Sequence, residues 1–125
     1  MKTLILMISM IAPLSFQTPN LAAVTKALSE GDAAALGTYL DTNVEMTLLD
    51  KQNVYDKTQA TAALKDFFSR NKPRSFNPVH QGTSRGNTSH YTIGDMNTAS
   101  GNYRVYLYYK SNGGGVLIQE MRIEK

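Results

Sequence analysis

Hydrophobic and polar residues alternate along the last quarter of the chain, from residue 101 to residue 124, in two runs that a glycine-rich segment divides. Alternation with a period of two on both sides of such a segment predicts a long β-hairpin. A three-residue loop, Gly113 to Gly115, places Arg104 opposite Glu124, whereas a five-residue loop would place it opposite Arg122, which has the same charge. The three-residue loop is therefore preferred. The residues that then share the inward face are Tyr103, Val105, Leu107, Tyr109, Leu117, Gln119, Met121 and Ile123.

Three segments upstream of this hairpin have apolar residues at helical spacing. The first follows Thr18, a predicted N-cap, and ends at Gly31, which adopts the left-handed conformation at low cost. The second is a short segment that is capped by Asp32 and ends at Leu40, and the third begins at a cap, Thr58. The predicted buried face of the third helix consists of Ala60, Leu64, Phe67 and Phe68.

The remaining segments alternate over shorter lengths and predict strands. These strands are residues 44–49, a very short one at 54–55 after a turn at 50–53, residues 76–81 and residues 88–96. Pro78 requires its strand to lie at a sheet edge or to contain a bulge, and the last of these strands is expected to turn Tyr91 and Ile93 inward. Helices grouped early and antiparallel strands grouped late predict an α+β fold, with three N-terminal helices packed on one face of a curved antiparallel sheet.

The first residues of the chain have the pattern of an export signal. Lys2 precedes an apolar run, residues 3–16, which Pro13 interrupts and which is too short to cross a bilayer. We therefore expect a signal peptide at residues 1–16 and a single exported domain at residues 17–125, periplasmic if the source is Gram-negative, with no membrane span in the mature protein.

The composition argues against several classes of function. A net charge of +3 in 125 residues is too small and too evenly spread to indicate nucleic-acid binding. The chain has no cysteine, which excludes disulfides and thiolate metal sites. Its two histidines, His80 and His90, are too few for a protein metal site with three or more ligands, and His90 shares the expected outward side of its strand with Thr92. We expect no metal and no cofactor.

Four segments resemble known families. The run ALSEGDAAALGTYLDTNVEMTLLD resembles the opening of the nuclear transport factor 2-like superfamily, which includes ketosteroid isomerase, limonene-epoxide hydrolase and the SnoaL-type cyclases. The runs KTQATAALKDFF, FNPVHQGTS and YRVYLYYKSNGGGVLIQEMRIEK resemble a secreted, uncharacterised family of that superfamily, domain of unknown function 4783. The resemblance implies a cone-shaped α+β roll, in which the enzymes of the superfamily work between the helices and the concave sheet face.

The residues that those enzymes use are not all present on the inward face. A site of the ketosteroid isomerase kind needs an inward tyrosine and inward carboxylates, but the glutamates at positions 45, 120 and 124 share the outward side of their strands. His80, in phase with Phe76, is a candidate general base, and Tyr91 and Tyr103 are further catalytic candidates. The inward polar residues available to a small hydrophobic ligand are His80, Gln119, Tyr91, Tyr103 and Tyr109.

The outward face of the final hairpin has the composition of a protein interface, because it combines tyrosine, arginine and aliphatic side chains. We expect it to form a weak homodimer or to contact an envelope protein. The residues predicted to form this interface are Tyr106, Tyr108, Ile118 and Arg122.

Two functions remain open at this point. The missing inward carboxylates favour a non-catalytic exported module that binds a small ligand or another protein. The alternative is a small isomerase or hydrolase that acts on a hydrophobic substrate in the cone cavity, with His80 as the base and a tyrosine as the acid.

Overall fold

The structure is a computed structural model that describes residues 21–84, 86, 88–113 and 115–125. The predicted signal peptide and the predicted cap Thr18 lie outside the described residues. The helices are α1 (Ala22–Glu30), α2 (Ala33–Gly37) and α3 (Lys57–Arg70). The strands are β1 (Leu40–Leu48), β2 (Lys51–Asp56), β3 (Pro73–Thr83), β4 (Ser89–Thr98), β5 (Gly101–Asn112) and β6 (Gly115–Glu124).

The six strands form one open, curved sheet with the order β2-β1-β6-β5-β4-β3. Neighbouring strands are antiparallel except for β1 and β6, which are parallel. Helix α1 packs on β3, α3 packs on β1 and β2, and α2 contacts α3. We call the sheet face toward the helices the inner face and the opposite one the outer face. The predicted α+β fold is thereby confirmed. Within the described residues, no helix has the length and apolarity needed to cross a membrane.

The helix boundaries follow from local capping. Gly31 ends α1 with a φ of 69°, and the Asp32 side chain caps α2, as predicted. The predicted cap of α3, Thr58, is wrong, because Asp56 takes that position. The Asp56 carboxylate accepts a hydrogen bond from the Gln59 backbone, and the Gln59 side chain accepts one from the Asp56 backbone. This reciprocal capping box satisfies two backbone donors and fixes the start of the helix.

The core lies between the helices and the inner face of the sheet, and α1, α2 and α3 each contribute buried residues to it. The α3 residues predicted to be buried are all buried. The ring of Phe67 contacts those of Phe68 and Tyr103 edge-on, at centroid distances of 5.9 Å and 5.5 Å. Edge-to-face pairs of this kind add to the stabilisation from buried aromatic area.

The first hairpin is tighter than predicted. Leu48 pairs with Lys51, so the turn consists of Leu49 and Asp50 rather than residues 50–53, and β2 is a full strand rather than a very short one. Leu49 adopts a φ of 57°, a conformation that leucine rarely takes because its Cβ is crowded by the backbone. The sequence did not indicate this turn, since glycine or asparagine is the usual residue there.

A bulge in the edge strand β3 changes which way its side chains face. Pro78 lies in an edge strand and beside this irregularity, as predicted. The extra residue, Val79, reverses the alternation, so His80 pairs with Ile93 and is exposed on the outer face. The prediction that His80 shares the inner face with Phe76 is therefore wrong.

The inward residues of β4 are also the opposite of those predicted. Tyr91 is 39% exposed on the outer face with Ile93, whereas His90 and Thr92 are buried on the inner face. The reason is the pairing with β5, which places Thr92 opposite Leu107. Directly opposed residues share a face, and the apolar residues of β5 fix that face as the inner one.

The final hairpin combines two registers. In the half away from the turn, Arg104 lies opposite Glu124, as the predicted three-residue loop requires. In the half near the turn, Asn112 pairs with Gly115, so the loop is one residue shorter than predicted. A bulge at Gln119 connects the two registers.

This second bulge corrects one predicted interface residue. Ile118 lies opposite Tyr109 and is fully buried on the inner face, and Val116 is buried as well. Leu117, which was expected to point inward, is only half-buried. Ile118 therefore belongs to the core and is not part of the outer face.

Candidate functional site

A group of large side chains lies in the middle of the outer face. Tyr91 and Tyr108 pair across β4 and β5, and Ile93 and Tyr106 pair in the next row. Tyr91 and Tyr108 are each 39% exposed. We call these four residues the outer aromatic patch. Alternation predicted the two tyrosines of β5 in this position but not the two residues of β4.

Ion pairs border the outer aromatic patch on one side. The Arg122 guanidinium lies 5.4 Å from the centroid of the Tyr106 ring and pairs with Glu124. Arg104 pairs with Asp95 at 2.8 Å. A cation over an aromatic face is attracted by the ring quadrupole, so the Arg122 side chain and the Tyr106 ring hold each other in place.

Two carboxylates meet on the β6 side of the patch, next to Arg122. Glu45 and Glu120 are neighbours on the parallel strands β1 and β6, and Glu120 lies opposite Tyr108. Partial burial raises the pKa of Glu120, the charge of Glu45 raises it further, and Arg122 opposes both effects. This end of the outer face is therefore a site where negative charge is already unfavourable.

Of the five predicted ligand-binding residues, three do not form an inner site. His80 and Tyr91 lie on the outer face. Gln119 is half-buried at the bulge of β6, and its amide nitrogen donates to Asp41 Oδ2 at 3.4 Å. The base of the predicted enzyme site is thus absent from the inner face.

Tyr103 and Tyr109 are buried on the inner face, as predicted, but they lie far apart. They are six positions apart on one strand, which is about 20 Å. The Tyr103 hydroxyl donates to Asn71 Oδ1 at 2.9 Å, and the Tyr109 hydroxyl is 3.1 Å from Thr92 Oγ1. Each hydroxyl is already satisfied by the protein, so the two tyrosines stabilise the core and do not converge on one ligand.

A recess of about 410 Å³ lies between α3 and the β1–β2 hairpin. Leu49, the residue with positive φ, forms part of its wall, with the rings of Tyr55 and Phe67 on other sides. Its rim carries charges of both signs, including Lys51 and Asp66. Sequence reasoning missed this recess because it depends on the tight turn at Leu49.

Sequence reasoning also missed a buried hydrogen-bonded histidine. His90 Nε2 is 2.8 Å from Ser111 Oγ, and His90 Nδ1 is 3.0 Å from Thr83 Oγ1. Its ring stacks on that of Tyr109. Pairing β4 with the strong alternation of β5 would have identified His90 as an inward residue. Among the described residues, no group of three or more histidine and acidic side chains could hold a metal ion.

The chain is similar to a family and to several solved structures. A family model for a domain of unknown function, DUF4783, matches residues 21–124. A DUF4783 protein from Bacteroides ovatus is 34% identical with a TM-score of 0.79, and the match covers 86% of this chain and 96% of that one. A second, from Bacteroides uniformis, is 34% identical with a TM-score of 0.77, and the match covers 85% and 97%.

More distant similarity concerns the fold alone. The protein Rd1NTF2_04 with a long sheet is 16% identical with a TM-score of 0.64, and the match covers 81% of this chain and 92% of that one. The fold is thus nuclear transport factor 2-like, as the sequence resemblance implied. No curated protein matches the chain.

Proposed function

This chain belongs to the DUF4783 family, and we propose that it is an interaction module that associates with a second copy of itself through the outer face of its sheet. The observation that supports this proposal most directly is the outer aromatic patch, which holds two tyrosines that are each 39% exposed. Contiguous exposed tyrosine beside arginine is typical of protein interfaces and uncommon on a surface that has no partner.

The charges of the outer face are compatible with a contact between identical copies. Arginines 104 and 122 and the exposed Lys110 provide positive charge, and they alternate with the acidic residues of β4 and β6. A twofold contact brings each surface against itself, so it needs both signs on one face. The adjacent Glu45 and Glu120 make the match imperfect, because they place two like charges side by side on one part of the face. We expect a weak dimer with a micromolar Kd, which is roughly −8 kcal/mol.

Sedimentation at several concentrations tests the association. Wild-type protein should dimerise, and Tyr108→Glu should be monomeric because it buries an unpaired carboxylate in the contact. Ala62→Glu, on the exposed side of α3, is the matched control and should dimerise like the wild type. A wild type that stays monomeric at several hundred micromolar would overturn the proposal.

A second candidate function is the binding of a small hydrophobic ligand in the recess beside Leu49. Two observations favour it: the recess is about 410 Å³, which suits a small organic molecule, and a strained backbone is often retained where it shapes a site. Mass spectrometry of protein purified from its native host should identify a bound molecule. Ala63→Trp, which fills the recess, should remove it, whereas Ala62→Trp, one residue away on the exposed surface, should not.

We also propose that the domain is exported. The basis is the short apolar segment after Lys2, interrupted by Pro13. The intact mass of protein from its native host should correspond to a chain that lacks roughly 14–20 N-terminal residues. A mature protein that retains Met1 to Phe16 would contradict this proposal.

A further inference from the structure

The hydrogen-bonded histidine on the inner face joins three neighbouring strands. His90 on β4 is 7% exposed, and its two ring nitrogens contact the hydroxyls of Ser111 on β5 and Thr83 on β3 at 2.8 Å and 3.0 Å. In the tautomer with the proton on Nδ1, the imidazole donates to Thr83 and accepts from the Ser111 hydroxyl. A serine, a base and a group that orients the base are thus aligned in the order that nucleophilic catalysis requires.

We propose that Ser111 is a nucleophile activated by His90, that Thr83 positions the imidazole, and that this site reacts with activated acyl esters. The proposal does not depend on self-association, because these residues lie on the inner face and the outer aromatic patch lies on the other side of the sheet.

The base is held on three sides. Its ring lies at 5.5 Å from the Tyr109 ring with an interplanar angle of 19°, and the Tyr109 hydroxyl is fixed by Thr92 at 3.1 Å. Two hydrogen bonds and one stacked ring leave the imidazole little freedom to rotate away from Ser111. Groups held by rigid strands in this way need little reorganisation when they react.

The nucleophile is accessible although its base is shielded. Ser111 is exposed, and the turn that follows it is rich in glycine. An acyl group can therefore approach Ser111 from solvent without displacing the core.

The proposed reaction transfers an acyl group to the serine and then to water. Ser111 Oγ forms a bond to the carbonyl carbon while its proton moves to His90 Nε2. The bond from that carbon to the leaving oxygen then breaks, and His90 returns the proton to the leaving group. A water molecule, deprotonated by His90, attacks the acyl-serine, releases the carboxylic acid and restores the Ser111 hydroxyl.

The residue behind the imidazole restricts the substrate class. A hydroxyl such as that of Thr83 can select the tautomer of His90, but it carries no negative charge to stabilise an imidazolium in the transition state. Esters with good leaving groups need less proton transfer at the leaving oxygen than amides do. We therefore expect reaction with activated esters and none with peptides.

Covalent labelling tests the proposal. Full-length protein treated with diisopropyl fluorophosphate should carry one adduct on the peptide that contains Ser111, and the protein should hydrolyse p-nitrophenyl acetate. Ser111→Ala should abolish both, and His90→Gln should slow labelling by about 10²–10⁴-fold. His80→Gln and Ser100→Ala, which change an exposed histidine and an exposed serine elsewhere, should leave both rates unchanged.

Thr83 needs a test that separates positioning from folding. Thr83→Val removes the hydroxyl that orients His90 and should slow labelling, whereas Thr83→Ser restores that hydroxyl and should restore the rate. An unlabelled wild type, or equal labelling of wild type and Ser111→Ala, would overturn the proposal. Equal rates in Thr83→Val and Thr83→Ser would overturn the positioning role.

Discussion

The two faces of strand β5 show how differently one segment of chain can be used. Its inward residues Val105 and Leu107 are at most 1% exposed and pack into the core, whereas its outward residues Tyr106 and Tyr108 lie among charged side chains on a face of the sheet. Alternation supplies both sets from a single strand. Stability therefore depends on the inner face, and the outer face is free to serve in recognition.

The largest expected difference between the faces concerns their aromatic residues. Phe67 packs edge-on against Phe68 and Tyr103 on the inner side. Phe67→Ala should lower the protein's unfolding free energy by about 3–5 kcal/mol. Tyr108→Ala on the outer face should lower the unfolding free energy of the monomer by less than about 1 kcal/mol, because it creates no cavity. Urea unfolding of dilute protein measures both, and comparable losses would remove the distinction between the faces.

The same comparison explains how much of the fold the sequence could predict. The face of β5 was predicted correctly because apolar and polar residues alternate along it without interruption. The faces of β3 near His80 and of β6 near Ile118 were predicted wrongly, because each strand contains one extra residue, and a single inserted residue reverses every side chain beyond it. Pro78 indicated either a sheet edge or a bulge in β3 but did not give the bulge's position, and no local feature of the sequence marks the bulge of β6.

The candidate sites were harder to predict than the fold. Strand β4 places Tyr91 and Ile93 outward and the polar His90 and Thr92 inward, against their hydrophobicity. Its partner β5 decides that orientation, so the strand cannot be interpreted alone. Both the outer aromatic patch and the buried histidine depend on this one strand, which is why the sequence identified Tyr106 and Tyr108 but missed the other members.

A smaller difference between the faces should appear when tyrosine hydroxyls are removed. Tyr103→Phe on the inner face breaks the bond to Asn71, whose side chain also donates to the Phe67 carbonyl, and should lower the unfolding free energy by about 0.5–1.5 kcal/mol. Tyr106→Phe on the outer face keeps the ring that contacts Arg122 and should cost nothing measurable. Chemical unfolding measures the two variants side by side, and equal losses of unfolding free energy would contradict this expectation.

Substitutions at Leu49, in the turn between β1 and β2, distinguish the cost of backbone strain from the contribution of the side chain. Leu49→Gly should raise the unfolding free energy by about 0.5–1 kcal/mol, because glycine takes a φ of 57° without strain. Leu49→Ala retains a Cβ and should give no such gain. Thermal unfolding compares the two variants, and a stabilised Leu49→Ala would show that the exposed side chain, rather than the backbone, carries the cost.

The smallest expected change in unfolding free energy is that of Glu120→Gln on the outer face. Whether the substitution stabilises or destabilises the protein shows which interaction of Glu120 dominates. The folded-state pKa of Glu120 is raised, mainly by partial burial and then by Glu45, so folding favours the protonated acid. The stability that this proton contributes is fully present below the unfolded-state pKa and is lost as the pH rises through the folded-state pKa. Glu120→Gln should therefore be more stable than the wild type at pH 7, by less than about 0.5 kcal/mol at this half-exposed site, and the advantage should disappear at acidic pH.

The ion pair between Arg122 and Glu124, beside Glu120, provides a control substitution that should change stability in the opposite direction. Glu124→Gln removes the partner of Arg122, so it should destabilise the protein slightly at pH 7, where Glu120→Gln stabilises it. Unfolding free energies measured from pH 3 to pH 8 on both variants decide between the two effects. If both substitutions destabilise the protein equally at neutral pH, Glu120 forms a favourable pair with Arg122. In that case the negative charge of Glu45 and Glu120 does not destabilise the outer face, and an acidic partner would not be disfavoured there.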